Sequence, residues 1–186
     1  MVEFIIGAIA SLFATIIYEK YRSYRTTKAI KHSFGWWVEI VPDSTDCQYS
    51  VGEFYFNRRK SIIAFDGTNY NNGGTPRCHW ETISGAFDAS EKKYFYTYRA
   101  TLVCQRDIAY YGFGVIEFDL DSGTNSFTPT GGHYISANVD SHPMSHTMES
   151  MKSFQQCSMD GVDSRRNIAQ LIDLIRKKQA SIKITG

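Results

Sequence analysis

Residues 94–104 read YFYTYRATLVC, and the reading of this run decides the fold. In an extended chain successive side chains point to opposite faces. Tyr94, Tyr96, Tyr98, Ala100, Leu102 and Cys104 then share one face, and Phe95, Thr97, Arg99, Thr101 and Val103 the other. Aromatic and β-branched residues fill the run, as they do in strands. Working outward, QRD turns the chain into AYYGFGVIEFDL (109–120), and DASEKK connects back to CHWETISGAF (78–87). Further out stand FGWWVEIV (34–41), YSVGEFYF (49–56), KSIIAFD (60–66) and SFTPTGGHYIS (126–136). NRR, DSGTN and GTNYNNGGTP separate them and have the composition of turns and loops. The expectation is mainly β: an antiparallel meander of seven or eight strands closed into a small barrel, with a sandwich as the other solution.

The chain starts differently. FIIGAIASLFATIIY (4–18) is apolar and uncharged, and EKYRSYRTTKAIKH follows with Lys20, Arg22, Arg25, Lys28 and Lys31. An apolar helix with cations on one flank reads as a membrane anchor whose basic side stays in the cytoplasm. A cleaved signal peptide has its cations before the apolar core, the reverse of the order here. Fifteen residues span only about 22 Å as a helix, so a buried core helix is the competing reading. Gly7 and Ser11, and Ala10 and Ala14, stand four apart, a spacing that lets helices approach closely in lipid.

At the other end, Val162, Ile168, Leu171, Ile172 and Ile175 recur at helical spacing, with Arg176, Lys177 and Lys178 at the close. An amphipathic helix packing on the barrel is expected there. The domain boundaries that follow are 1–32 for anchor and stem, 33–158 for the barrel and 159–186 for the C-terminal helix.

With 20 Lys and Arg against 19 Asp and Glu, the charge balance does not suit bulk DNA or RNA binding. The four cysteines show no CxxC, and a cytoplasmic location would keep them reduced. His142 and His146 are four apart, but Pro143 breaks the helix that would align them, so no metal site is expected. There is no Gly-rich phosphate loop, GxSxG or HExxH, so the chain does not read as an enzyme, and no cofactor is implied.

The strands carry the candidate site. In 77–87, alternation puts Arg77, His79, Glu81, Ile83 and Phe87 opposite Cys78, Trp80, Thr82 and Ser84. In 109–118, Tyr111, Phe113 and Val115 oppose Tyr110, Gly112 and Gly114. Tyr55, Arg77, Trp80, Tyr96, Tyr98, Arg99 and Tyr111 are the residues suited to a planar polar ligand: aromatic faces stack bases, and Arg grips phosphate with two hydrogen bonds. The bland alternative is that the tyrosines coat a sheet in water. Gly112 and Gly114 mark a sharply coiled point or a close ligand approach.

An N-terminal membrane segment (FIIGAIASLFATIIY), a basic stem and the strand block from FGWW to GGHYIS resemble the membrane-anchored β-barrel effectors of bacterial anti-phage cyclic-oligonucleotide signalling, the minimal STING-like effectors. The resemblance is architectural. It implies a non-enzymatic, single-pass protein of the bacterial inner membrane with a cytoplasmic barrel. It also implies a cyclic oligonucleotide ligand, a homo-oligomer, and disruption of the bilayer by clustered helices. Members of that family typically have two membrane helices, and this chain has one candidate. Two readings without a nucleotide stay open: a tethered lipocalin-like carrier of an apolar ligand, and an anchored interaction protein.

Overall fold

A computed structural model of the chain describes residues 2–31, 33–40, 49–71, 73–104, 109–138 and 152–157. The expected C-terminal helix and the His142–His146 pair lie outside the described residues. A single helix, α1 (Val2–Ala29), takes in both the apolar stretch and most of the basic stem. Eight strands follow: β1 (Phe34–Ile40), β2 (Tyr49–Asn57), β3 (Ile62–Tyr70), β4 (Pro76–Asp88), β5 (Lys93–Leu102), β6 (Ala109–Asp121), β7 (Ser126–Asn138) and β8 (Lys152–Cys157). The first seven pair antiparallel, each with the next, in one curling sheet; short β8 bridges β7 back to β1 and closes it.

Three turns at the α1 end share one design. Each opens on an Asx residue whose side-chain oxygen accepts the backbone N–H groups two and three residues on. Asn57 takes Arg59 and Lys60, Asp88 takes Ser90 and Glu91, and Asp121 takes Gly123 and Thr124, at 2.9–3.3 Å. Each closes on a left-handed residue: Ser61, Lys92 and Asn125, with φ between 53° and 57°. An Asx side chain mimics a backbone turn, which is why Asn and Asp lead all three.

The core follows the alternation of β5. Tyr94, Tyr96, Tyr98 and Ala100 point inward and are buried. Phe54 stacks on Phe65 at 4.6 Å and meets Tyr94 and Phe118 edge-on. Inward Gly112 and Gly114 lie against the rings of Tyr98 and Tyr96, and a Cβ at either position would collide with them. The two glycines therefore make room for tyrosines of the neighbouring strand.

β4 departs from simple alternation. Its register slips between Thr82 and Ser84, so Ile83 is an extra residue. Beyond that bulge Gly85 and Phe87 share the inner face with Trp80 and Thr82, and Ser84 turns outward to meet Thr97. The sequence assignment of Phe87 to the face of Arg77, and of Ser84 to that of Trp80, is corrected: one inserted residue reverses everything after it.

The bulge also opens a seam. β3 and β4 pair from Gly67/Trp80 to Tyr70/Pro76. Toward α1, side chains take over. Thr82 Oγ1 receives the Phe65 N–H and donates to the Phe65 carbonyl, both at 2.8 Å. Trp80 Nε1 donates to the same carbonyl, and Tyr94 O–H donates to that of Ile63 at 2.6 Å. The Asp66 carboxylate accepts the Thr82 N–H and the Tyr55 hydroxyl. Lys60 Nζ closes the set on the Thr82 carbonyl.

The end of the helix is docked. Ile30 is buried in the aromatic core and bridges to Phe127 of β7. The Lys31 N–H donates to the Phe127 carbonyl, and its ammonium pairs with Asp121 at 3.1 Å. Tyr24 packs edge-on against Phe56. Residues 3–22 are exposed throughout, and α1 is long and apolar enough to cross a membrane.

Candidate functional site

The barrel interior is graded along its axis. At the α1 end Phe54, Ile63, Tyr94, Ile116 and Phe118 are almost fully buried, and Phe87 and Phe127 pack across them. Ile30 plugs that end. Each such ring or chain withdrawn from water contributes about 2 kcal/mol. At the far end several inward side chains keep contact with solvent, although Trp37, opposite Ser50, and Ala100, between Trp80 and Tyr110, are buried. Ser50, Asn69, Cys78, Trp80, Tyr110 and Tyr134 are all half-buried. They face one another through the ladders: Ser50 sits opposite Asn69, Asn69 opposite Cys78, and Tyr110 one inward step from Gly112. The Ser50 hydroxyl donates to Asn69 Oδ1 at 2.6 Å. Tyr98 stands between the zones, edge-on to Tyr134, with its hydroxyl 3.5 Å from the Ile135 carbonyl. Hydroxyl, amide and aromatic groups thus line a mouth reached by water over a dry floor.

The candidate residues divide between the faces. Trp80 and Tyr98 belong to the inner set near the mouth, and Tyr96 is sunk below them, buried between Tyr94 and Tyr98. Burial holds the Tyr96 phenol well above its usual pKa, and does the same to Tyr94. Tyr55, Arg99 and Tyr111 project from the outer face. The Tyr55 phenol is raised to about 12, first by desolvation and then by its bond to Asp66. Arg99 lies across the ladder between Glu81 and Tyr111, and its buried Nε has no hydrogen bond among the described residues. Arg77 is exposed at the start of β4, where its carbonyl accepts the Val103 N–H.

Ser50, Asn69, Tyr110 and Tyr134 are members of the mouth that residue chemistry alone passed over. A signal for Ser50 was present: in YSVGEFYF it alternates with Gly52, Phe54 and Phe56, the inward face of β2. Among the described residues no group of three or more His, Cys, Asp or Glu is placed to hold a metal ion. On α1, Gly7 has no atom within 4 Å of a Cβ built on it, and Ala10, Ser11 and Ala14 are exposed beside it.

Comparison of the chain with family models, with curated proteins and with solved structures gives no match.

Proposed function

We propose that this chain is a single-span membrane effector whose barrel binds a cyclic oligonucleotide at the mouth far from α1 and then self-associates through its anchor to disrupt the membrane. The observation that carries the reading is the graded interior: one end is closed by side chains and a helix, the other keeps polar and aromatic groups in reach of water. Cations immediately after the apolar stretch favour a cytoplasmic barrel. A ligand shifts the clustered state only by binding it more tightly than the single state. The small residues from Gly7 to Ala14 supply a surface on which helices can pack.

The test is a thermal-shift series on the full chain in detergent, against a panel of cyclic di- and trinucleotides. At a hundredfold excess over Kd, one ligand adds about 2.7 kcal/mol, or roughly 5–10 °C in Tm for a chain of this size. Tyr110→Ala should abolish the shift and outward Tyr111→Ala should keep it. A folded barrel that ignores the whole panel contradicts the ligand.

A second reading has its own support. On the outer face Phe95 and Phe113 stack at 6.4 Å, and Phe113, Tyr111 and Ile83 are exposed. An apolar patch of this kind suits an anchored interaction protein. In that case the panel gives no shift, and Phe113→Ser abolishes self-association or partner capture.

A further inference from the structure

The three turns at the α1 end share a backbone, so their middle residues report what the fold leaves free. In the β4–β5 turn these are Ala89, Ser90 and Glu91, and in the β6–β7 turn Ser122, Gly123 and Thr124. In the β2–β3 turn they are Arg58, Arg59 and Lys60, all exposed. The turn geometry asks for Asx first and a left-handed residue last; Lys60 serves the seam through its bond to the Thr82 carbonyl, but the turn itself requires no cation at Arg58 or Arg59.

The basic turn also lies beside the helix. Phe56, two residues before Arg58, packs on Tyr24 of α1 at 5.9 Å. Lys20, Arg22, Arg25 and Lys28 line the same stretch of helix, with Lys28 over the Tyr24 ring and Arg25 near that of Tyr21. In the other two turns the leading Asx is acidic: Asp121 pairs with Lys31, and Asp88, its carboxyl lowered first by the Ser90 hydroxyl, lies near enough to Arg22 for that cation to lower it further. Arg58 and Arg59 therefore add their charge to the cations of the adjoining helix, without an acidic partner in their own turn.

Its depth can be placed. The apolar run ends at Tyr18. Tyr24, which marks the level of the turn, lies about 9 Å further along the helix axis. The polar headgroup layer adds roughly 6 Å beyond the hydrocarbon on each side. Long arginine side chains from this turn reach that layer when residues 4–18 occupy the hydrocarbon.

We infer that Arg58 and Arg59, with the cations of α1, form a binding face for anionic lipid headgroups that seats the barrel on the bilayer its helix enters. The inference rests on α1 being a membrane anchor. Each basic side chain near an anionic surface strengthens binding about fivefold, so removing two should cost roughly twenty-five-fold for the headgroups they hold.

The full chain is reconstituted into vesicles of phosphatidylcholine mixed with phosphatidylglycerol, extracted with mild detergent, and its retained lipid measured. The expected result is retained phosphatidylglycerol well above its share in the vesicle. Arg58→Gln/Arg59→Gln should lose most of that enrichment, and Lys92→Gln/Lys93→Gln on the neighbouring turn should keep it. Equal enrichment in wild type and the Arg58/Arg59 variant overturns the inference. So does loss of enrichment on adding inorganic phosphate at constant ionic strength, which marks a phosphate site and not a lipid face. Failure of the chain to float with the vesicles overturns the anchor instead, and the two failures are separate observations. Circular dichroism of each variant confirms that the barrel is intact.

Discussion

At the α1 end of the barrel Tyr94 is shut away from water and spends its hydroxyl on the Ile63 carbonyl across the seam. At the far end Tyr110 and Tyr134 are packed on one side only and keep part of their surface wet. The residue type is the same and the inward direction is the same. What differs is the company: the first is enclosed in the cluster of Phe54, Ile116 and Phe118, whereas Tyr110 pairs with Ala100 and Asn138 and Tyr134 meets Tyr98 edge-on at the edge of that cluster. Tyrosine-rich strands therefore say little about binding until each ring is placed along the barrel axis. One end spends its aromatics on stability, and the other leaves them available.

That contrast can be broken by truncation. Tyr94→Ala removes a ring with no exposure and should cost about 4 kcal/mol, whereas Tyr110→Ala should cost under about 2 kcal/mol because its site is already open to water. Equal losses in urea unfolding would erase the difference between the ends. Next in size is the seam. Thr82→Val keeps the shape but strands the N–H and weakens satisfaction of the carbonyl of buried Phe65, so a loss of about 2 kcal/mol is expected. Tyr94→Phe, measured in the same way, should cost about 1 kcal/mol for the lost bond to the Ile63 carbonyl.

Alkaline titration sharpens the same comparison. Burial raises the folded-state pKa of Tyr94 and Tyr96, so their contribution is complete below the unfolded phenol value of about 10. It is lost as pH climbs above that value, because the unfolded chain ionises first. The barrel should therefore lose stability above about pH 10, and less so in Tyr94→Phe. The smallest effect is at the helix junction. Thr124, Lys31 and the turn amides lower the exposed Asp121 carboxyl to about 2. Its contribution is present above the unfolded value of about 4 and fades as pH falls toward 2. Asp121→Asn should flatten that acid limb, with a small loss at neutral pH and none at about pH 2.

Much of this was legible in the residues. The alternation in YFYTYRATLVC puts the correct four side chains inside, and FIIGAIASLFATIIY does form an exposed helix that continues through the stem. The turns were readable because Asn57, Asp88 and Asp121 act locally. The faces of β4 were not, because a bulge has no compositional mark and Ile83 looks like any strand residue. The site was half legible for a related reason. Alternation separates inside from outside, so it could have divided Trp80, Tyr96 and Tyr98 from Tyr55, Arg99 and Tyr111. Depth along the axis depends on register between strands, and no single strand carries that.

The most direct measurement is nitration of the folded full chain by tetranitromethane, read tyrosine by tyrosine from peptide masses. The two-ended barrel predicts modification at Tyr110 and Tyr134 and none at Tyr94 and Tyr96 until the chain unfolds. Reaction of Tyr94 or Tyr96 at the rate of Tyr110 in folded protein would contradict it.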